Sequence, residues 1–290
     1  MIRAEGSSKQ AMIGLIIGTV LNIVLDPIMI LTLNLGVTGA ALATIIGNIV
    51  SCLYYFYYLF FKETCLSINI KDFAFKSSII KNILIVGIPV SLNTILISGA
   101  SVLLNNFAAS YSDTVVSAIG IASRVNMIAI MLFLGLSQGS QPFIGYNFAA
   151  KNYKRMKGAI KFGIICSLII GITTFTISFI FAENIVKMFL SDPPDIVTYG
   201  SYFIRANMSA CTILGIQFML MSTFQAIGKG GAALIVSIAR QGIAFVPTII
   251  IGNMLFGLNG VVWAQPFSDI LSVFIACILY YFINKKILLK

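Results

Sequence analysis

The sequence predicts an all-α integral membrane protein of eight transmembrane helices, and three observations carry that expectation. Hydrophobic residues make up 59% of the 290-residue chain and charged residues only 10%, with a mean hydropathy of +0.99. An average soluble domain is about 25% charged. The apolar runs reach the ~20 residues that a bilayer core requires and lack the alternation of barrel strands. The basic residues fall between these runs, mostly on alternate sides of them.

Hydropathy places the spans at about 11–33, 39–61, 83–108, 117–146, 158–182, 197–227, 232–256 and 260–283. The first follows the polar "MIRAEGSSKQ" and is long enough to span, so it reads as a helix rather than a cleavable signal. The second ends in "YFYY", Tyr55 to Tyr58, as an interfacial aromatic belt would. Residues 62–82 form the longest polar connection and read as a cytoplasmic linker between two helix groups, 1–61 and 83–290. Pro27, Pro89, Pro142, Pro247 and Pro266 fall in or at the ends of spans, where neighbouring helices satisfy freed backbone groups.

With a cytoplasmic N-terminus, fifteen of the nineteen Lys and Arg residues lie on inside segments. Lys187 lies outside, and Arg124, Arg205 and Arg240 lie within spans. That asymmetry predicts a multi-pass protein of the cell membrane with both termini in the cytoplasm. The run from Lys151 to Lys161 is expected to rest on anionic lipid headgroups. Topology thus accounts for the net charge of +10 without a nucleic-acid partner. The absence of histidine excludes imidazole metal sites and histidine proton relays. Five scattered cysteines without a CxxC read as buried apolar thiols. No span shows a metal triad, nucleophile elbow or acid–base pair, so no enzyme is predicted.

A weak internal repeat runs at an offset of 221 residues. "LGVTGAALATIIGNIVS" aligns with "FGLNGVVWAQPFSDILS", pairing Gly36 with Gly257, Gly39 with Gly260, Ala43 with Ala264 and Ser51 with Ser272. Both copies have the same orientation, a known transporter plan. The second copy ends a group of six helices, whereas the first ends a group of two. If the groups match, about 142 upstream residues and four helices belong to the complete plan. The chain then reads as the C-terminal two-thirds of a twelve-helix protein: the last two helices of a first six-helix lobe plus a complete second six-helix lobe.

Asp26 stands out in "NIVLDPIMI". A charge at the bilayer centre costs at least ~2.5–3.5 kcal/mol on insertion scales, so an intramembrane acid is a functional candidate by default. Asn22 lies one turn back on the same face. Pro27 has no N–H to give the Ile23 carbonyl. The resulting oxygen-rich patch suits Na⁺, a hard cation, or a proton on a desolvated carboxylate, and the sequence leaves both open. Arg124, Arg205 and Asp269 enter their spans from the same side to comparable depth, and an ion pair among them is expected. Arg240 reads as snorkelling to headgroups from near the cytoplasmic end of its span.

Three stretches together resemble the multidrug and toxic compound extrusion (MATE) family. They are "IRAEG…NIVLDPIMI…LGVTGAALAT", "SQGSQPFIGYNFAAKNYKR" and "FQAIGKG…ARQGIAFVP…FGLNGVVWAQPFSDILS". The resemblance covers the whole chain and departs at Ala149, where the family usually has glycine. It implies two six-helix lobes around a cleft that opens alternately to each side, exporting amphipathic, often cationic, drug-like compounds against Na⁺ or H⁺. It also implies first-lobe carboxylates on the first and fifth helices. Asp26 matches the second of these, and the helix carrying the other is absent from this sequence. No cofactor is expected beyond the coupling ion; the partners are small-molecule substrates, membrane lipids and a segment or chain supplying the first four helices. Asn93, Gln141 and Gln217 are expected either to bond between helices or to line the drug cleft. The alternatives are a lipid-linked saccharide flippase of the same two-lobe plan and an inactive fragment.

Overall fold

The computed structural model describes residues 7–61, 77–189 and 194–288. The regular structure among them is helical, and eight segments are long and apolar enough to cross a membrane. In chain order they begin with α1 (Ser8–Pro27), extended by a π turn at Ile28–Thr32, and α2 (Gly36–Phe61). Then come α3 (Ser77–Ala109), α4 (Asp113–Ala149), α5 (Tyr153–Ile180), the short α6 (Ala182–Phe189) and α7 (Pro194–Ala226). The seventh span is built from α8 (Gly230–Ile238), a second π turn (Ala239–Ala244) and α9 (Phe245–Phe256), and α10 (Leu258–Leu288) is the last.

Several helices overrun the spans expected from hydropathy because polar caps, not apolar residues, end them. The Ser112 side chain accepts from the Val115 N–H at the start of α4, and Asn152 accepts from the Arg155 N–H at the start of α5. Each cap satisfies one of the N–H groups a helix start leaves open. Of the expected linker at 62–82, residues 62–76 lie outside the described residues, and α3 begins at Ser77.

The chain divides into two compact units, Met1–Lys76 and Ser77–Lys290. In the first, α1 and α2 form a helical hairpin. A Cβ on Gly47 would stand 2.7 Å from the Gly18 carbonyl oxygen, so the two backbones meet at a distance only glycine allows. Small residues serve this purpose between membrane helices, where apolar burial gives no net drive. One end of the hairpin is tied by tyrosines: Tyr55 Oη donates to the Ala11 carbonyl at 2.8 Å and Tyr58 Oη to Ser7 Oγ at 2.9 Å. Ser51 Oγ donates to the Gly14 carbonyl at 2.9 Å.

In the second unit α7 lies at the centre, against α4, α5, α6 and α10. Its most apolar stretch is 61% buried, more than that of any other span described. Phe133, Phe203 and Leu214 fill one end of this core, and Ile144, Ile160, Met219 and Phe224 the other. A third cluster, Phe245, Ile249, Val261 and Ala264, joins α9 to α10 and receives Leu103 from α3. The short α6 was not visible to hydropathy. It turns Ala182 and Val186 inward and leaves Met188 exposed, the pattern of an interfacial helix.

The expectation of buried thiols holds for Cys211 alone among the described cysteines: Cys166 is half-buried, and Cys52 and Cys277 are exposed on spanning helices. The 221-residue repeat has a structural counterpart in each unit. Gly36 and Gly257 have φ of +53° and +57° before the last helix of their hairpins. A Cβ on Gly39 or Gly260 would collide with the backbone of the preceding helix, at Met29 and Gly252 respectively. Ala43 and Ala264 are both fully buried.

Candidate functional site

The first unit assembles a polar patch inside its hairpin. Asp26 lies six residues before the end of the first span, roughly 9 Å along the helix axis at 1.5 Å per residue. It is half-buried. Asn22 Nδ2 donates to Asp26 Oδ1 at 3.4 Å and lies 3.3 Å from Thr44 Oγ1 on α2. Thr44 in turn donates its hydroxyl to the Ala40 carbonyl at 2.9 Å. The close approach at Gly47, whose Cβ would stand 3.2 Å from Asn22 Cβ, brings α2 near enough for that contact. Thr44 was missed by sequence reasoning. The signal was present, since it is the polar member of the "GAALAT" run, but only the hairpin brings it opposite Asn22.

Immediately beyond Asp26 the helix widens. Pro27 withholds its N–H, the Ile28 N–H turns to the Leu25 carbonyl, and the Leu33 N–H bonds the Ile28 carbonyl. π turns recur at functional sites because they break the regular ladder of backbone bonds. The patch therefore holds one carboxylate, one amide and one hydroxyl, next to the Ile23 carbonyl to which Pro27 has no N–H to give. Among the described residues no cationic side chain lies within ion-pair distance of Asp26.

The second unit treats its carboxylate differently. Asp269 is 2% exposed, and its Oδ1 accepts from Arg240 Nε at 2.6 Å and from Gln265 Nε2 at 2.8 Å. The Arg240 carbonyl accepts from Ser268 Oγ, and the guanidinium stands 5.6 Å above the Phe218 ring. A buried charge is tolerated only when paired and hydrogen-bonded, and both conditions are met here.

These contacts correct the expected charge network of Arg124, Arg205 and Asp269. Asp269 pairs with Arg240 instead. Arg240 sits ten residues into its span, about 15 Å deep, too far for snorkelling, and the π turn buries it with Ala239 and Gln241. Arg205 pairs with Glu183 on α6 at 3.4 Å, donates to the Phe179 carbonyl and lies over the Phe179 ring. Arg124 is exposed on α4 and forms no ion pair among the described residues.

The three expected cleft residues separate. Gln217 takes the first of its two expected roles, a bond between helices, and does not line a cleft: it is 2% exposed and accepts from Ser272 Oγ at 2.7 Å, joining α7 to α10. Gln141 is half-buried, with its Nε2 3.5 Å from Gln225 Oε1. Asn93 is half-buried on α3.

The sequence model of the MatE family matches residues 89–250, more than half of the chain. The multidrug export protein MepA of Staphylococcus haemolyticus (strain JCSC1435) is 33% identical over 285 residues, 98% of this chain and 62% of that protein. MepA of Staphylococcus aureus (strain MSSA476) gives the same identity and coverage. The chain thus spans about three-fifths of the length of these relatives. An outward-facing multidrug resistance MATE family transporter of the MOP superfamily superposes with a TM-score of 0.92 at 28% identity, over 100% of this chain and 65% of that one. A MOP superfamily transporter of Pyrococcus furiosus, described as having a binding pocket of reversed polarity, superposes at 0.91 and 28% identity, over 99% and 65%. The spanning helices, their order and these matches agree, and this multi-pass membrane chain belongs to the MATE family of transporters.

Proposed function

We propose that the chain works in a cation-coupled exporter of amphipathic, often cationic, small molecules by alternating access, with Asp26 as the residue that takes up the driving ion. The observation that carries this reading is the company Asp26 keeps: a half-buried carboxylate on a spanning helix, touched by an amide and with no basic partner among the described residues. In a low-dielectric setting a carboxylate without a counter-charge favours any cation that reaches it. Na⁺ finds oxygen donors in Asp26, Asn22 and Thr44, and a proton neutralises the same carboxylate. Either offsets the negative charge of Asp26, and with it the pull on the Asn22 amide beside the π turn. The export function is supported by the multidrug exporters the chain resembles.

The same reading places the protein in the cell membrane with both termini cytoplasmic, from its basic residues. It takes the four leading helices of the first lobe from a segment or chain beyond these 290 residues, from the repeat and the coverage of the relatives. A C-terminal antibody against native membranes should then reveal a product of about 430 residues, enough for twelve helices of ~20 residues with their loops.

The test is Asp26→Asn in the native protein, expressed in drug-hypersensitive cells. Drug resistance should be abolished while the membrane level of the protein persists. Resistance retained at an unchanged protein level would reject the role of Asp26. Dependence of wild-type export on Na⁺ at fixed pH, or on the proton gradient without Na⁺, identifies the ion.

A further inference from the structure

The second unit is polarised along its helices. Its described carboxylates Asp113, Glu183 and Asp195 lie at the starts of α4, α6 and α7, and Asp269 lies buried in α10. The opposite end carries Lys151, Lys154, Arg155, Lys157 and Lys161 on the α4–α5 turn and the start of α5, with no acidic residue in that stretch. At this end a groove of about 480 Å³ opens between α4 and α5, lined by Ser140, Phe143, Arg155, Gly158, Ala159 and Phe162.

The groove has a charged end and an apolar body. Arg155 is on the first turn of α5, and Phe162 lies seven residues deeper, roughly 10 Å along the axis. Phe143 lies six residues before the end of α4, about 9 Å deep on the facing helix. Phe143 is 50% and Phe162 67% exposed, so their rings flank an open channel. Gly158 forms part of the floor, and a Cβ built there meets nothing within 4 Å.

From this juxtaposition we infer that the α4–α5 groove is a binding site for an anionic phospholipid, with its phosphate on Arg155 and one acyl chain between Phe143 and Phe162. Arg155, set in a stretch rich in lysine, matches a negatively charged headgroup, and an arginine fork suits a phosphate oxygen pair. The apolar body descends into spanning helices, where a soluble anion has nothing to gain and an acyl chain does. The site lies wholly within the second unit and is independent of the role of Asp26.

The test measures equilibrium binding of fluorescent-acyl phosphatidylglycerol and phosphatidylcholine to the full chain purified in neutral detergent. The wild type should bind phosphatidylglycerol at least tenfold more tightly than phosphatidylcholine. Gly158→Leu keeps every charge and enters open space, and should erase the preference by filling the groove. Arg155→Gln should weaken phosphatidylglycerol binding severalfold, and Lys285→Gln, a basic residue on α10 outside the groove, should leave it unchanged. Helix content by circular dichroism checks that each variant is folded, and Phe162→Ala replaces Gly158→Leu if that variant is not. Equal affinity for the two lipids in the wild type would overturn the inference. So would an undiminished preference in the folded groove variant, which would reduce the effect to general surface charge. Displacement of phosphatidylglycerol by glycerol 3-phosphate alone would also overturn it, by pointing to a free phosphate site.

Discussion

The hairpin of α1 and α2 and the hairpin of α9 and α10 share their glycine positions but keep their carboxylates in different company. Gly36 and Gly257 turn each chain with positive φ, Gly39 and Gly260 let each last helix lie on the backbone before it, and Ala43 and Ala264 are sealed inside. On this common frame Asp269 is held by a buried arginine and a glutamine, whereas Asp26 has an asparagine and no basic partner among the described residues. The repeat conserves how the backbones meet and lets the charge chemistry diverge. A carboxylate already neutralised by Arg240 does not call for an exchangeable cation, whereas the lack of a basic partner at Asp26 among the described residues is what the proposed coupling role rests on.

That contrast can be broken most directly by making the two carboxylates neutral in turn. Asp26→Asn should abolish export and shift unfolding by no more than the ~1 kcal/mol of an ordinary hydrogen bond. Asp269→Asn should do the reverse in stability, because it leaves Arg240 buried without a counter-charge. Loss of one partner of a buried pair costs about 3–5 kcal/mol, read as a lower midpoint of thermal unfolding in detergent. Replacing both members, Arg240→Met with Asp269→Leu, should recover most of that loss. If Asp26→Asn proves as destabilising as Asp269→Asn, the two carboxylates are both structural and the contrast fails.

The shared frame is tested by its turns. Gly257→Ala should cost about 1–3 kcal/mol, since φ of +57° with ψ of −134° is a region that only glycine enters readily. Gly36→Ala should cost about 1–2 kcal/mol, that of a left-handed backbone, since its Cβ meets nothing within 4 Å. Equal costs would mean that the two turns are closer in conformation than their surroundings. The smallest effect belongs to Glu183→Gln. The Arg205–Glu183 side chains are 37% and 55% exposed, and a pair of that kind contributes about 0–1 kcal/mol, falling further in high salt.

The eight spans could be read from the chain because a bilayer imposes a length and an apolarity on every helix that crosses it, and those are local properties of sequence. The same holds for the pairing of Asn22 with Asp26, which needs only one helical turn. The glycine repeat was also legible, since close backbone approach admits few residue types. What the sequence could not reveal were contacts between helices. It put Arg240 at the headgroups and Asp269 with Arg124 and Arg205, and it left Gln217 between a helix-to-helix bond and a cleft. Those choices depend on helix rotation and on which helix neighbours which. Arg240 lies within the π turn at residues 239–244, where the regular helical phase breaks, so periodicity carried through the turn does not report the face that buries it.

By itself the sequence determined the membrane as solvent, the number of spans and the family, because each rests on composition, run length or motif. Only the tertiary structure decided that Asp269 is neutralised by Arg240, that Thr44 stands beside Asn22, and that a groove lined by Arg155 opens between α4 and α5. The physical reason is that electrostatic and hydrogen-bond partners across helices are set by ångström-scale packing, to which hydropathy is blind.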